Sequence, residues 1–174
     1  MPGKKTAKHS AVKNALRLFI RLGILAAAFY LLASYVIFPY RMAGNAMTPY
    51  FRDGDLGLFY KLEQWVPNDI VLYRTKDGKK HVGRILAVAG QTITFPKDQE
   101  GVFLIDGYQL NEEIERNTEK AEKSSISFPM EVPEDSWFIL NDDRKDTDDS
   151  RSFGCIKTQD IEGKLIYLFR RRDF

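Results

Sequence analysis

Apolar positions divide the chain into two unlike parts. From Leu22 to Phe38 the sequence runs for 17 residues without a charge. As a helix that run would rise about 26 Å, slightly short of a hydrocarbon core of roughly 30 Å, and Arg17 and Arg21 just before it can snorkel to make up the difference. The pattern predicts a basic segment at 1–21, a transmembrane anchor at 22–38 and a separate domain at 39–174. A cleaved signal peptide is the competing reading; the length of the apolar stretch and the exit Phe38-Pro39-Tyr40-Arg41, which has no small-x-small site, argue against it. After Pro39 the apolar residues come in short runs, Ile70–Tyr73, Ile85–Ala89, Thr92–Phe95, Val102–Ile105, Trp137–Leu140 and Leu165–Phe169, separated by glycine-containing turns. This predicts an all-β domain. Asp77-Gly78 is a type I′ hairpin signal, and Asp106-Gly107 and Glu162-Gly163 read as turns of the same kind. Asn111–Lys123, polar and charged with one large apolar residue, Ile114, predicts an exposed excursion without a stable helix.

Charge sharpens this division. The net charge of +2 conceals six basic residues and no acid in residues 1–38, leaving 20 basic against 24 acidic residues in the rest. Basic residues before the apolar run and only Arg41 soon after it predict a cytoplasmic N-terminus and an extracytoplasmic domain. An acidic domain argues against nucleic-acid binding. One cysteine, Cys155, excludes an internal disulfide, and two histidines argue against a zinc site, so no metal or cofactor is expected.

The stretch Asn141–Gly154 is more than half charged and directly follows Trp137–Leu140. A solvated loop is the simplest account of such a run. However, the carboxylates of Asp142 and Asp149 alternate with the guanidinia of Arg144 and Arg151, and the segment ends in Phe153-Gly154. That arrangement predicts an internally paired, docked loop.

The same stretch resembles the Gly-Asp-Asn-Arg-x-x-Ser-x-Asp-Ser-Arg-x-Phe-Gly box of type I signal peptidases. Asp142, Arg144, Asp149, Ser150, Arg151, Phe153 and Gly154 match, while Asn141, Asp143 and Thr147 depart from it. Three further motifs follow the family order. Gly44-Asn45-Ala46-Met47-Thr48-Pro49 with Asp53-Gly54-Asp55 is similar to the nucleophile box. Pro67-Asn68-Asp69-Ile70-Val71 resembles the Arg-Gly-Asp-Ile-Val strand, and His81–Gln91 resembles Val-Lys-Arg-Val-Ile-Gly-x-x-Gly-Asp. The resemblance implies a signal peptidase I-like β domain behind one N-terminal transmembrane helix. It also implies that Arg84 pairs with Asp142 and Asp149 with Arg151, and that Thr147 stands where a hydroxyl would orient a catalytic lysine.

At the two positions that would carry the chemistry, the nucleophile's place holds Ala46 and the base's place holds Gly83. A serine hydroxyl attacks only after a neutral lysine removes its proton, and neither group is available here. His81 lies on the same strand face as Gly83 and is a candidate base, although an ordinary strand residue accounts for it as well. Thr48 is a candidate hydroxyl, but a turn-capping role fits its place before Pro49. Cys155 has no basic neighbour in sequence and reads as a small strand filler rather than a reactive thiol.

The resemblance narrows to the SipA-type proteins of streptococcal pilus loci, which implies a non-catalytic chaperone or adaptor acting on pilin subunits beside a sortase at a Gram-positive cell surface. The alternative is a type I signal peptidase, a membrane serine endopeptidase, inactive by substitution or using a non-standard dyad. Either way, Met42, Gly44, Asn45, Ala46, Met47, His81 and Gly83 are expected to line a groove in which an extended segment could add by β-augmentation, with open space where the two catalytic side chains are missing.

Overall fold

The computed structural model describes residues 3–61, 64–96, 101–109, 118, 121 and 126–170. Residues 1–38 and 39–174 form two compact units. In the first, a helix α1 covers Gly3–Val36, and its stretch Asn14–Val36, 23 residues long, is apolar enough to cross a membrane. At 1.5 Å per residue that stretch spans about 34 Å, enough for a bilayer core. The helix begins earlier than the charge-free run at 22–38 and takes in Arg17 and Arg21, because leucine, alanine and arginine all propagate a helix well. It also ends two residues sooner. Ile37 and Phe38 are extended, since the proline at 39 disfavours helical backbone in the residue before it.

In the second unit the strands are β1 (Ile37–Arg41), β2 (Leu56–Tyr60), β3 (Ile70–Arg74), β4 (Lys80–Val88), β5 (Thr92–Thr94), β6 (Leu104–Ile105), β7 (Tyr108–Gln109), β8 (Met130–Glu131), β9 (Ser136–Leu140), β10 (Ile156–Lys157) and β11 (Ile161–Phe169). One sheet has seven strands in the order β1-β2-β11-β3-β4-β9-β10, and a second has four in the order β7-β6-β5-β8. A single-turn helix, α2 (Ser150–Phe153), forms the end of the charged box. The mostly-β architecture is the one expected.

The large sheet is apolar on both faces where it matters. One core gathers Leu86, Ile93, Phe103, Ile105, Val132 and Phe138, with the Phe103 and Phe138 rings stacked at 5.9 Å. A second packs Val71, Tyr73, Ile85, Ile139, Ile156 and Ile161 against Trp65, Trp137 and Phe153. Strand β4 serves both cores because its pairing with β9 shifts register between Ile85 and Ala87, which breaks strict alternation and lets consecutive residues be buried.

Two of the expected turns are of another kind. Asp106 and Gly107 both have positive φ, 53° and 82°, and join Ile105 directly to Tyr108, so the type I′ hairpin lies there. At Asp77-Gly78 only Gly78 is left-handed. The loop is longer, with Gly78 N–H donating to Thr75 O and Thr75 N–H to Lys79 O. Glu162-Gly163 is no turn at all: it sits inside β11 at a register shift, a bulge that bends the long strand between β3 and β2. The excursion at 111–123 lies outside the described residues except for Thr118 and Ala121. Both are buried, so at these two small residues the expected exposure does not hold.

Candidate functional site

The loop that follows β1 is closed on itself by its own polar atoms. Met42 N–H donates to Asp55 O at 2.8 Å and Gly54 N–H to Met42 O at 3.0 Å, while Gly44 N–H donates to Asp53 Oδ1 and Asp53 N–H to Asn45 Oδ1. Asp143 N–H, donating to Ala46 O at 2.9 Å, ties the loop to the charged box. Ala46 thereby presents a methyl group to a cleft of about 220 Å³.

Met42, Gly44, Asn45, Met47 and His81 line that cleft. Gly83 does not. A Cβ at 83 would stand 2.6 Å from Ile139 Cγ2, 3.2 Å from Leu140 O and 3.2 Å from Tyr73 Cε1. The expected open slot is therefore corrected: two fully buried side chains, Ile139 and Tyr73, occupy the volume into which a side chain at 83 would grow. The sequence reasoning also missed the cleft's polar wall of Lys80, Asn141, Asp146 and Asp148. Nothing in their spacing brings Lys80 to Asp148, because β4 and the box meet only through the fold.

His81 packs beside the rings of Tyr73 and Phe153, each 5.8 Å away, with Nδ1 3.9 Å from Asp148 Oδ2. Lys80 turns its ammonium to Glu162 at 2.6 Å. Burial works against ionisation of Glu162, but hydrogen bonds from Lys80 and Arg74 outweigh it and hold the carboxyl below its ordinary range. The Tyr73 phenol is pushed well up, first by burial and then by the carboxylates of Asp149, Asp148 and Asp146, and its hydroxyl has no hydrogen-bond partner among the described residues. The Thr48 hydroxyl donates to Phe51 O at 3.3 Å, which is a turn contact. Cys155 is half-buried and its thiol is raised to about 11 by burial, far from a nucleophile's range.

Beneath the cleft the charged box is docked, not solvated. Arg84 Nε and Nη2 donate to the two oxygens of Asp142, each at 2.8 Å, and Nη1 to Asn68 O; the guanidinium also lies 5.0 Å from the Tyr50 ring centre. Asp149 caps α2 through Arg151 N–H and receives both Nε and Nη2 of the same arginine, at 2.9 and 2.6 Å. Arg151 also donates to the carbonyls of Arg144 and Asp146, so the fully buried guanidinium makes four hydrogen bonds to these acceptors and Asp149. Asp149 Oδ2 and Ser150 Oγ additionally accept the backbone N–H groups of Asn141 and Ile139. Arg144 is buried beside them. Thr147 does not line the cleft; its carbonyl accepts the Ser152 hydroxyl.

The loop carrying the Gly44–Pro49 motif, the start of β4 and the charged box line one cleft. The signal peptidase, peptidase S26 family model matches residues 15–169, and the chain belongs to that family. Signal peptidase I of Bacillus licheniformis is 27% identical over 175 residues, covering 93% of this chain and 92% of that protein. Signal peptidase I T of Bacillus subtilis (strain 168) is 26% identical over 182 residues, covering 95% and 93%. Among solved structures, a signal peptidase I from Enterococcus faecalis V583 is 27% identical and covers 61% of this chain and 100% of that one, with a TM-score of 0.47. In a member of this family, α1 fits a single-pass membrane anchor.

Proposed function

We propose that this chain is a non-catalytic signal-peptidase-like adaptor. It is anchored by α1 with its N-terminus in the cytoplasm, and its β domain holds pilin subunits for a sortase during pilus polymerisation at the cell surface. The observation that carries the non-catalytic part is the pair of residues at the reaction centre. Ala46 offers a methyl group to the cleft, and the side-chain volume at Gly83 is filled by Ile139 and Tyr73, so neither an attacking atom nor a proton acceptor stands at the positions that match the family's serine and lysine. The orientation draws support from the six basic residues that precede the charge-free run at 22–38. The pilin and sortase partners draw on the resemblance to the SipA-type proteins. The cleft beside Ala46 remains open and would take an extended segment of the partner.

The rival reading, a signal peptidase with another dyad, draws on the names of the relatives. Its candidate groups are not paired with one another here: the Thr48 hydroxyl bonds within its own turn, and the His81 imidazole turns Nδ1 toward Asp148. The full chain, reconstituted in vesicles, is incubated in parallel with a signal-peptide substrate and with pilin plus sortase. Cleavage no faster than in empty vesicles, together with faster pilin polymerisation, is the expected result. Turnover that Thr48→Ala or His81→Ala abolishes would establish the peptidase instead.

A further inference from the structure

On the far side of His81 and Asp148 from the cleft lies a larger cavity, of about 760 Å³. The two hollows share those residues as a wall, and they meet where His81 Nδ1 stands 3.9 Å from Asp148 Oδ2. The top of this wall is the Asp148 side chain, 72% exposed. Glu134, Lys157 and Gln159 in turn border a third hollow, of about 520 Å³. Each hollow shares a wall with the next, so together they make one groove that leads from Ala46 to Thr158.

The middle cavity has the make-up of a peptide site. Its buried and half-buried lining is apolar, from Met130, Phe153, Cys155 and Ile156, whereas its exposed lining is charged, as at Lys76 and Lys157. One wall is also the end of a sheet. In the seven-stranded order β10 comes last, bonded to β9 on one side and without a strand on the other among the described residues. A two-residue edge that carries a lysine is ordinarily a guarded one. Here, however, Cys155, Ile156 and Lys157 all line the groove, which offers an incoming chain a backbone to pair with and an apolar floor for its side chains.

We propose that this groove is a second stretch of the partner site. The polypeptide segment that enters the cleft at Ala46 crosses the Asp148 carboxylate and continues along β10, adding to that edge while one of its apolar side chains packs on Phe153 and Ile156. The proposal rests on the reading of the cleft as the seat of an extended partner segment. It gives the occupant a chemistry: extended backbone, with a large apolar residue beyond the one that faces Ala46.

The test uses the full chain in vesicles, without sortase, and two probes in parallel, a purified pilin and a signal-peptide substrate. Cys155 is the chain's only cysteine and lines the groove, so its alkylation by iodoacetamide, read by mass spectrometry, reports occupancy in the unaltered protein. A photo-crosslinking benzophenone residue is placed separately at Ala43 in the cleft, at Lys157 in the groove and, as a control, at Tyr108 on the small sheet; all three positions are exposed. The expected result is that pilin slows alkylation several-fold and crosslinks from 43 and 157, within one continuous stretch of its sequence, but not from 108. Crosslinking from 43 alone, with alkylation unchanged, overturns the proposal and leaves the reading of the cleft standing. Crosslinking from neither position with either probe overturns both. The same pattern with the signal-peptide substrate in place of pilin would support the groove while overturning the pilin partner. Crosslinks from 157 to a second copy of this chain, or to a stretch of the probe remote from the one at 43, also overturn the proposal, since the groove would then be a separate site.

Discussion

Adding one methyl group at residue 83 should destabilise the β domain, although in most strands replacing glycine with alanine does the reverse. The usual gain, about 0.4–1 kcal/mol, comes from the unfolded chain, which loses conformational freedom. At Gly83 the new Cβ would lie 2.6 Å from Ile139 Cγ2, far inside contact distance, and 3.2 Å from both the Leu140 carbonyl and Tyr73 Cε1. Ile139 and Tyr73 are fully buried, so neither can swing into solvent. Overpacking of this kind costs about 1–3 kcal/mol, and forcing Ile139 off its rotamer about 1 kcal/mol more. The net expectation for Gly83→Ala is a loss of about 1–3 kcal/mol once the usual gain is set against these costs. Gly83→Lys should lose about 3 kcal/mol or more, because it also strands an ammonium among apolar groups. The measurement is urea unfolding of the full chain in detergent, followed by the fluorescence of Trp65 and Trp137. Ile139→Leu, which removes the branch that clashes, should rescue Gly83→Ala, with a favourable coupling of about 1 kcal/mol in a double-mutant cycle. An unchanged or raised midpoint for Gly83→Ala would refute the reasoning. It would mean that β4 and β9 yield easily and that the space at 83 can be reopened.

Further outcomes follow from the polar groups. Asp142→Ala should cost about 3 kcal/mol, the low end for breaking a buried pair on one side, because Arg84 keeps Asn68 O and the Tyr50 ring; a melting temperature lowered by only a degree would contradict the docked box. Tyr73→Phe removes a buried hydroxyl without a partner and should stabilise by about 1 kcal/mol, whereas a loss in the same unfolding assay would reveal a bond the hydroxyl makes. Glu162 has a folded pKa below its unfolded value, so its contribution is complete above the unfolded value and disappears as pH falls through the folded one. Melting curves across the acid range should therefore show Glu162→Gln losing less stability than the parent between about pH 5 and 3.

What could be read from the sequence was local or charge-coded. Runs such as Trp137–Leu140 and Ile70–Tyr73 became strands because four consecutive apolar or aromatic residues need burial on both faces of a sheet. The Arg84–Asp142 and Asp149–Arg151 pairs were legible through the resemblance of the box to that of the signal peptidases, whereas the alternating charges alone predicted only a docked loop. Strands β7, β8 and β10, two residues each, carry no measurable period, and Leu56–Tyr60 is a continuous run that announces burial without announcing its geometry. The space at Gly83 was misjudged for another reason. A missing side chain can be read from the sequence, but the inward lean of Ile139 and Tyr73 is a packing response that only the three-dimensional arrangement reveals. The same holds for Lys80 and Asp148, which share the cleft across a separation that no sequence window spans.

The hydrogen bonds of Ser150 and Asp149 have a consequence for solubility. Strand β9 is paired with β10 only at Ser136 and Trp137; further along, its outward N–H groups at Ile139 and Asn141 are taken by the Ser150 hydroxyl and the Asp149 carboxylate. Two side chains thus finish the sheet where no strand does, and they hide an apolar edge that would otherwise template pairing with another chain. This duty is indifferent to whether the cleft performs chemistry. Substitutions at Asp149 or Ser150 would accordingly be expected to show themselves as self-association through a bared strand, and such residues would be retained in a lineage long after its last proton transfer.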